Sequence, residues 1–319
     1  MQIGILEKKG FSPQALRILK KIGKVVYFDE KNIHSFIQDK EIIFIRLNCF
    51  IGKEFLNFAP KLKFICSPTT GLNHVDVEEL KNRNITLVSL RGEHKFLSFI
   101  RATPEHALGL TLSLLRNYKY AFLNTENKEW GRDRFKGYEI YNKNAGIIGF
   151  GRLGKILAKY FSSFGANVFF YDINSDVKPC FGAKKINNLG KMIKKCKIIL
   201  LCASYSEEYS RFLDKKYIDL LKNKYFINVS RNELLDENYL IKKIKSNFFK
   251  GIALDVITNE TGKNNLNRLI KLTKNRNFIL TPHVGGATHE SMQKTELFIV
   301  SKLFDLLKKS GVIKKVMLP

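Results

Sequence analysis

The first hundred residues alternate short apolar runs with longer amphipathic stretches. The runs have the length of strands, and the stretches have the spacing of helices. Strands that alternate with helices are typical of a parallel sheet with helical crossovers. The pattern predicts strands at 3–6, 25–28, 42–45, 64–66 and 86–88, and helices at 13–22, 53–58 and 75–83.

The pattern changes at Pro104, which begins a long apolar helix predicted over 105–116 as a connector between two lobes. Residues 117–144 are polar and aromatic and include the single tryptophan, Trp130. We expect this stretch to wrap over a surface or a partner subunit. A second strand–helix series runs from 145 to about 282, and residues 290–309 have helical periodicity. A chain of 319 residues is too long for one ordinary core, so two domains are expected.

A glycine-rich turn stands at the start of the second series. Gly149, Gly151 and Gly154 form the pattern G-x-G-x-x-G between an apolar strand at 146–150 and a helix at 153–164. The first glycine permits a tight turn, the second lets the backbone approach a pyrophosphate, and the third allows close helix–strand packing. The helix N-terminus then faces the phosphate charge. This context predicts a dinucleotide-binding site.

An acidic residue follows the next strand, at 167–171. Asp172 stands 18 residues after Gly154, close to the roughly 20 expected for the residue that binds the adenosine ribose. A carboxylate there can accept hydrogen bonds from the ribose hydroxyls and would repel a 2′-phosphate. The sequence therefore predicts NAD as the cofactor in preference to NADP.

Polar residues also follow three later strand-like runs. Arg231 comes after the first, Asp255 and Glu260 after the second, and His283 after the third. Ligands of parallel sheets bind beyond the carboxyl ends of strands, so these loops should converge on the cofactor. Reduction of a 2-oxo acid needs a planar cation for the carboxylate and a proton donor that works near neutral pH. The residue types fit this chemistry, although the residues alone leave a structural role open for each of them.

This arrangement resembles the D-2-hydroxyacid dehydrogenase family, which includes D-3-phosphoglycerate, D-lactate and formate dehydrogenases. The resemblance covers nearly the whole chain, from the loop at 67–76 to the last helix. Glu260 follows Arg231 by 29 residues, and His283 follows Glu260 by 23, as in the family pattern. Three places depart from that pattern: Asn232 replaces a frequent glycine, Thr261 replaces a usual proline, and residues 201–206 contain no proline where the family usually has one. The last departure weakens the cofactor assignment at Ala203. We expect the loop at Asn232 to survive, because asparagine tolerates a left-handed backbone.

The resemblance implies roles for the site residues. Arg231 would bind the substrate carboxylate and carbonyl, His283 would be the general acid and base, and Glu260 would pair with His283. Asp255 would lie near the nicotinamide carboxamide. The cofactor set implied is Gly149, Gly151, Arg152, Leu153, Gly154, Asp172, Ala203, Val229, Asp255, Gly285 and Gly286. The substrate set is Arg46, Thr70, Gly71 and Arg231, with Arg46 at a position where phosphoglycerate-type members carry a basic residue. A surface role for Arg46 stays equally open.

The resemblance also implies the architecture: a Rossmann-type, doubly wound NAD-binding domain at 101–288, inserted into a smaller flavodoxin-like substrate domain. The substrate domain would comprise 1–100 and 289–319. The implied function is hydride transfer between NAD(H) and a small D-2-hydroxy or 2-oxo acid, with or without a phosphate group, in a homodimer. The alternative is a nucleotide-sensing protein like the corepressors built on the same fold, which retain the Arg–Glu–His trio.

Composition narrows the classes of partner. The net charge is +26, but the lysines are spread along the chain without a long basic block. A lysine-rich surface therefore explains the charge more simply than nucleic-acid binding, although a positive field would help to gather an anionic substrate. No apolar run reaches the roughly 18 residues of a membrane helix, and no signal-peptide pattern begins the chain. The five cysteines match no metal spacing and indicate reduced thiols. We expect a cytoplasmic protein without a metal, with no membrane or nucleic-acid partner.

Overall fold

A computed structural model describes residues 1–29, 31–274 and 276–313. The chain divides into two compact units. The first comprises Met1–Phe99 and the chain from Ala287 onward, and the second comprises Ile100–Gly286. Among the described residues, no helix is both long enough and apolar enough to cross a membrane.

The first unit contains a five-stranded parallel sheet with the order β2-β1-β3-β4-β5. Its strands are β1 (Gln2–Ile5), β2 (Lys24–Tyr27), β3 (Ile42–Phe44), β4 (Phe64–Ser67) and β5 (Thr86–Ser89). The helices between and after them are α1 (Pro13–Ile22), α2 (Ile33–Ile37), α3 (Lys53–Asn57), α4 (Val77–Asn82) and α5 (His94–Leu97).

Helix α1 illustrates why the local sequence folds as it does. The hydroxyl of Ser12 caps the helix by accepting from the backbone amide of Ala15 at 3.3 Å, and Pro13 occupies the first turn. The buried positions Ala15, Ile18, Leu19 and Ile22 repeat at the spacing of one helix face. The predicted bounds of this helix are those of the structure.

The second unit contains a seven-stranded sheet, also fully parallel, with the order β12-β11-β10-β9-β6-β7-β8. Its strands are β6 (Asn144–Ile148), β7 (Asn167–Tyr171), β8 (Lys184–Lys185), β9 (Ile198–Leu201), β10 (Tyr225–Asn228), β11 (Gly251–Leu254) and β12 (Phe278–Leu280). Chain order reverses between β6 and β9. This reversal is the point where doubly wound sheets bind nucleotides.

Helices cover both faces of this second sheet. They are α6 (Ala102–Leu115), α7 (Tyr118–Glu126), α8 (Arg152–Ser163), α9 (Leu189–Lys195), α10 (Lys215–Asp219), α11 (Glu237–Lys245) and α12 (Leu266–Thr273), with short 3-10 turns at Arg132–Phe135, Glu207–Tyr209 and Asn232–Leu234. Along β9, Ile199 and Leu201 enter one core cluster, and Ile198 and Leu200 enter another. A strand buried on both faces is the mark of a doubly wound sheet, which confirms the predicted α/β fold class.

The last helix, α13 (His289–Lys309), returns to the first unit and packs against α1. Between α6 and the second sheet, the structure contains a helix that the prediction for 117–144 did not name. Asn117, with φ of 54°, ends α6 in the left-handed region, and α7 begins at the next residue. The buried side chain of Asn124 then holds the turn after α7 by accepting from the amide of Gly131 at 3.1 Å.

Candidate active site

The three fingerprint glycines have three different surroundings. Gly149 adopts φ of 88°, and a Cβ on it would lie 2.4 Å from Cα of Ala203. A Cβ on Gly154 would lie 2.3 Å from the carbonyl oxygen of Gly149. A Cβ on Gly151 would meet no described atom within 4 Å, and no side chain caps the helix α8 that starts after it. The loop therefore has room for a phosphate group at Gly151, against an uncapped helix N-terminus.

Asp172 follows β7 and is tied to the glycine loop. One carboxylate oxygen accepts from the amide of Phe150 at 2.6 Å, and the other accepts from the amide of Asn174 at 2.9 Å. The carboxylate is half-buried, and each oxygen keeps a second lone pair. These bonds hold the Asp172 carboxylate beside the glycine loop. A carboxylate in this place fits the ribose hydroxyls of a dinucleotide.

The other predicted cofactor residues lie around this loop or in the loops beyond the sheet. Arg152 and Leu153 form the first turn of α8, and Nη1 of Arg152 donates to the carbonyl of Ile100 at 3.3 Å. Ala203 lies against Gly149, as the glycine geometry requires. Val229, which follows β10, is buried. A Cβ on Gly286 would meet no described atom within 4 Å.

Arg231 follows β10 and is half-buried, with Nη1 donating to the carbonyl of Ser230 at 2.8 Å. Burial lowers its pKa, and the charges of Glu260, Glu233 and Asp255 oppose that shift. An arginine stays protonated under either influence. The structure thus places a permanent cation among three carboxylates at the edge of the sheet where strands end.

Glu260 and His283 meet at the same edge. Nδ1 of His283 lies 2.6 Å from Oε2 of Glu260, and both side chains are partly exposed. With the proton on Nδ1, the bond to Glu260 fixes the tautomer and leaves Nε2 as the nitrogen that can exchange a proton. His283 itself adopts φ of 52°, a conformation that non-glycine residues rarely adopt and that often occurs at functional sites.

Asp255 holds the loop that carries His283. Its carboxylate is 2 % exposed and accepts from the amides of Val284 and Gly285, each at 2.9 Å, and from the hydroxyl of Thr281 at 2.6 Å. Its backbone carbonyl accepts from the amide of His283 at 2.8 Å. The predicted contact of Asp255 with the nicotinamide stays a prediction. In the structure, this carboxylate holds the loop of His283 through its bonds to the amides of Val284 and Gly285.

Sequence reasoning missed His106, on α6. Its Nε2 lies 3.2 Å from the carboxylate of Asp255 and 3.2 Å from the hydroxyl of Thr281. The burial of Asp255 alone would raise the pKa of its carboxyl, but the hydrogen bonds and charge around it, His106 foremost, lower it. A histidine on the apolar face of a helix gives no local signal of such a partner, so only the fold could reveal the pair.

A second buried network joins the loops of Arg231 and Glu260. Asn232 is fully buried, accepts from the side chain of Asn228 at 3.1 Å and donates to Glu237 at 2.7 Å. Glu237 also accepts from the amide of Thr258, at 2.9 Å. Asn232 does not adopt the left-handed backbone that we considered for it. The asparagine that stands in place of the family's frequent glycine therefore gives this loop a buried hydrogen-bonding side chain.

The predicted substrate residues Thr70 and Gly71 lie in the first unit, in the loop after β4. The hydroxyl of Thr69 bonds to that of Ser67 at 2.8 Å and donates to the carbonyl of Gly71 at 3.0 Å, which fixes the loop. Thr70 is exposed.

Arg46, which follows β3, is engaged within the same unit. Nε donates to Oε1 of Glu296 at 3.0 Å, and Nη1 donates to the carbonyl of Lys9 at 2.8 Å. Glu296 lies on α13 and its side chain is 1 % exposed. Burial raises the pKa of this carboxyl, while the bond and charge of Arg46 lower it. The guanidinium thus neutralises a buried carboxylate, a role that the sequence did not suggest.

A glycine loop at the switch point of a doubly wound sheet, with an Arg–Glu–His trio at the same edge, is the arrangement expected of a dinucleotide-dependent oxidoreductase. The family profile described as "D-isomer specific 2-hydroxyacid dehydrogenase, NAD binding domain" matches residues 108–285. The chain belongs to the D-isomer-specific 2-hydroxyacid dehydrogenase family, and its cofactor domain is that of an NAD-binding enzyme. The predicted family, enzyme class and cofactor are confirmed.

Individual relatives differ in the substrate that their names give. The chain is 27% identical over 312 residues to a D-3-phosphoglycerate dehydrogenase of Methanocaldococcus jannaschii, covering 96% of this chain and 58% of that protein. It is 30% identical over 268 residues to a glyoxylate reductase of Thermococcus litoralis, covering 81% and 78%. A D-lactate dehydrogenase of Aquifex aeolicus, solved with NAD and lactic acid, has the same fold, with a TM-score of 0.84 at 21% identity over 98% of this chain and 97% of that one.

Proposed function

We propose that this protein catalyses reversible hydride transfer between NAD(H) and a small D-2-hydroxy or 2-oxo acid. The observation that carries the proposal is the 2.6 Å bond between His283 and Glu260, together with the half-buried cation Arg231 at the same edge of the sheet. This arrangement supplies an anion contact and a proton donor at one edge of the sheet that holds the nucleotide cradle. The predicted catalytic roles of these three residues are part of the proposal.

The chemistry follows from the three side chains. The guanidinium of Arg231 pairs with the substrate carboxylate and polarises the adjacent carbonyl, because its planar fork can donate two parallel hydrogen bonds. When bound, the reduced nicotinamide supplies the hydride to the carbonyl carbon. Nε2 of His283 gives its proton to the carbonyl oxygen, and Glu260 stabilises the imidazolium and keeps its ring in place. In oxidation, neutral His283 takes the hydroxyl proton.

We propose NAD over NADP because Asp172 lies where the adenosine ribose is expected. Its two oxygens are held by amides of the glycine loop and of the following turn. A carboxylate there accepts from ribose hydroxyls and repels a 2′-phosphate. The remaining predicted cofactor contacts, including Arg152, Gly285 and Gly286, belong to the same proposal.

The surroundings of Arg46 favour an unphosphorylated substrate. A phosphate contact would require a cation whose charge is not already balanced, whereas Arg46 pairs with the buried Glu296. We therefore propose a small 2-oxo acid such as glyoxylate or pyruvate ahead of the 2-oxo form of 3-phosphoglycerate. The predicted substrate contacts of Arg46, Thr70 and Gly71, and the substrate role of the domain at 1–100 and 289–319, stay predictions.

We also propose a homodimer, supported by large apolar side chains left exposed around α7. Phe122 is 60% exposed, Trp130 90% and Tyr141 60%. Large apolar side chains left exposed in one region of the chain are typical of a protein interface. Light scattering coupled to size-exclusion chromatography should report twice the mass of one chain, and Trp130→Glu should shift that mass toward the monomer. A cytoplasmic location stays a prediction.

A panel of 2-oxo acids, scored by loss of NADH absorbance, tests the central proposal. We expect turnover with glyoxylate or pyruvate, weaker turnover with the phosphorylated acid, and loss of turnover in His283→Ala. Preferred turnover of the phosphorylated acid would contradict only the argument from Arg46. Tight NADH binding without turnover of any acid would instead favour the nucleotide-sensing alternative.

A further inference from the structure

Four lysines line one edge of the sheet in the second unit, and each directly precedes a strand. Strands β11, β10, β9 and β6 are neighbours and parallel, so their first residues meet at the same edge. The lysines are half-buried and are Lys143, Lys197, Lys224 and Lys250. The loops of the proposed active site follow the opposite ends of the strands. The glycine loop, for example, lies beyond the five residues of β6, about 16 Å away.

A cavity of about 250 Å³ opens beside these lysines. Its walls are largely apolar and include Leu115 and Ile198, both buried. The rings of Tyr138 and Tyr225 also line it, with centroids 6.5 Å apart and an angle of 62° between their planes. The cavity has room for a one-ring compound.

Three of the four lysines line this cavity. Lys250 Nζ lies 3.5 Å from the centroid of the Tyr138 ring, and Lys197 Nζ donates to the carbonyl of Asn223. A hydrogen bond and the charge of Lys250, together with the charges of Lys197 and Lys143, lower the pKa of the Tyr138 phenol. The three ammonium groups are therefore close enough to act on a single side chain. Lys224 instead donates to the carbonyl of Cys196 at 2.6 Å.

The charge of this cavity is unbalanced. No carboxylate lines it within the part of the chain that the structure describes. Burial, and then the charge of Lys250, lower the pKa of Lys197. An anion in the cavity would oppose this effect, because it would favour the charged form of Lys197.

We propose that this cavity binds a small anion with a flat apolar body, such as a one-ring aromatic phosphate or carboxylate. Its anionic group would accept from Lys197 and Lys250, with Lys143 adding charge. Its body would pack on the rings of Tyr138 and Tyr225. The site is separate from the proposed dinucleotide and substrate positions and is additional to the proposed function.

Calorimetric titration with phenyl phosphate tests the proposal on protein saturated with NADH, which keeps the nucleotide cradle filled. We expect saturable binding of one equivalent per chain. Inorganic phosphate lacks the aromatic ring and benzyl alcohol lacks the negative charge, so each should bind several-fold more weakly than phenyl phosphate. Benzoate should bind more weakly than phenyl phosphate, because its carboxylate carries less charge than a phosphate group.

Variants locate the binding. Lys197→Gln combined with Lys250→Gln should weaken phenyl phosphate binding roughly tenfold or more. The matched control, Lys191→Gln with Lys216→Gln, removes the same charge from exposed positions on α9 and α10 and should leave binding unchanged. Tyr138→Ala should also weaken binding, and Tyr138→Phe should retain it. Tyr138 is 45% exposed, so neither change threatens the fold.

The proposal would be overturned if phenyl phosphate showed no saturable binding. It would also be overturned if the Lys197/Lys250 double variant bound phenyl phosphate as tightly as the Lys191/Lys216 double variant. Binding of inorganic phosphate as tight as that of phenyl phosphate would overturn the assignment of an apolar body. NADH affinity, measured on each variant, should match that of the unmodified protein. A failure of the cavity proposal is thereby distinguished from a failure of the dehydrogenase proposal, which rests on NADH and 2-oxo acid turnover.

Discussion

His283 and Glu260 are joined by a hydrogen bond of 2.6 Å between Nδ1 and Oε2, although 23 residues separate them in the chain. Glu260 follows β11 and His283 follows β12, and these strands are neighbours in the sheet. The bond exists because parallel strands end at one edge and bring their following loops together. It leads to the first prediction.

Glu260→Gln should lower kcat/KM for 2-oxo acid reduction about a hundredfold, because it removes the charge that stabilises the imidazolium while keeping most of the shape. NADH affinity should stay near that of the unmodified enzyme. Steady-state kinetics and NADH fluorescence titration measure the two quantities. Glu208→Gln, an exposed change, is the control. Unaltered turnover in Glu260→Gln would mean that the pair does not serve the proton transfer.

Arg231→Lys should lower kcat/KM roughly tenfold to a hundredfold while NADH affinity is retained. Lysine keeps the positive charge but cannot donate the two parallel hydrogen bonds of a guanidinium to a carboxylate. The same change at the exposed Arg268 should have no effect on kinetics. If NADH binding collapsed together with turnover, Arg231 would have a structural role instead.

The glycine loop permits a test that separates binding from stability. Gly151→Val should weaken NADH binding roughly tenfold or more with little change in Tm, because its side chain enters space that contains no described protein atom within 4 Å of the Cβ. Gly154→Ala should instead lower stability by about 1–3 kcal/mol, because its Cβ would lie 2.3 Å from the carbonyl of Gly149. Thermal unfolding and NADH titration of both variants provide the comparison. A Gly151→Val variant that lost stability but bound NADH normally would contradict a phosphate position at Gly151.

Asp172→Ala should reduce the preference for NADH over NADPH by about tenfold, because the variant no longer repels a 2′-phosphate or accepts from the ribose. The dissociation constants of both cofactors, measured by fluorescence, give the ratio. Asp176→Ala removes an exposed carboxylate from the same loop and is the matched control. An unmodified protein that binds both cofactors equally would refute the assignment.

Asp255→Asn should destabilise the protein by about 1–3 kcal/mol at neutral pH, because an amide cannot accept at every position where the buried carboxylate does. The pKa of Asp255 is lowered in the folded state, so its carboxylate stabilises the fold above its unfolded pKa of about 3.9. That stabilisation is lost as the pH falls from about 4 through the folded pKa. The free energy of unfolding, obtained by denaturant titration between pH 3 and 7, should therefore fall more steeply toward low pH in the unmodified protein than in Asp255→Asn. If the free energy of unfolding depended on pH in the same way in both proteins, the ionised carboxylate of Asp255 would not stabilise the fold.

The alternation of apolar runs and amphipathic stretches was enough to predict parallel α/β architecture. Hydrophobic spacing and capping are local properties, so they even set the bounds of α1, where Ser12 and Pro13 start the helix. The glycine fingerprint and Asp172 were equally readable, because a nucleotide loop needs glycines at fixed offsets from one strand and one helix. Arg231, Glu260 and His283 each follow a strand, but the residues alone left a structural role open for them, and the resemblance to the family was needed to predict the trio.

Tertiary structure alone decided which side chains meet across long stretches of chain. Arg46 pairs with Glu296, 250 residues away, and His106 on α6 bonds to Asp255 in the loop after β11. No local pattern encodes such pairs, because they depend on which helix covers which strand end. The same reason applies to the lysines at the opposite edge of the sheet. In the sequence they are scattered members of a lysine-rich surface. Only the strand order of the folded sheet brings them together at one edge, where three of them line a cavity.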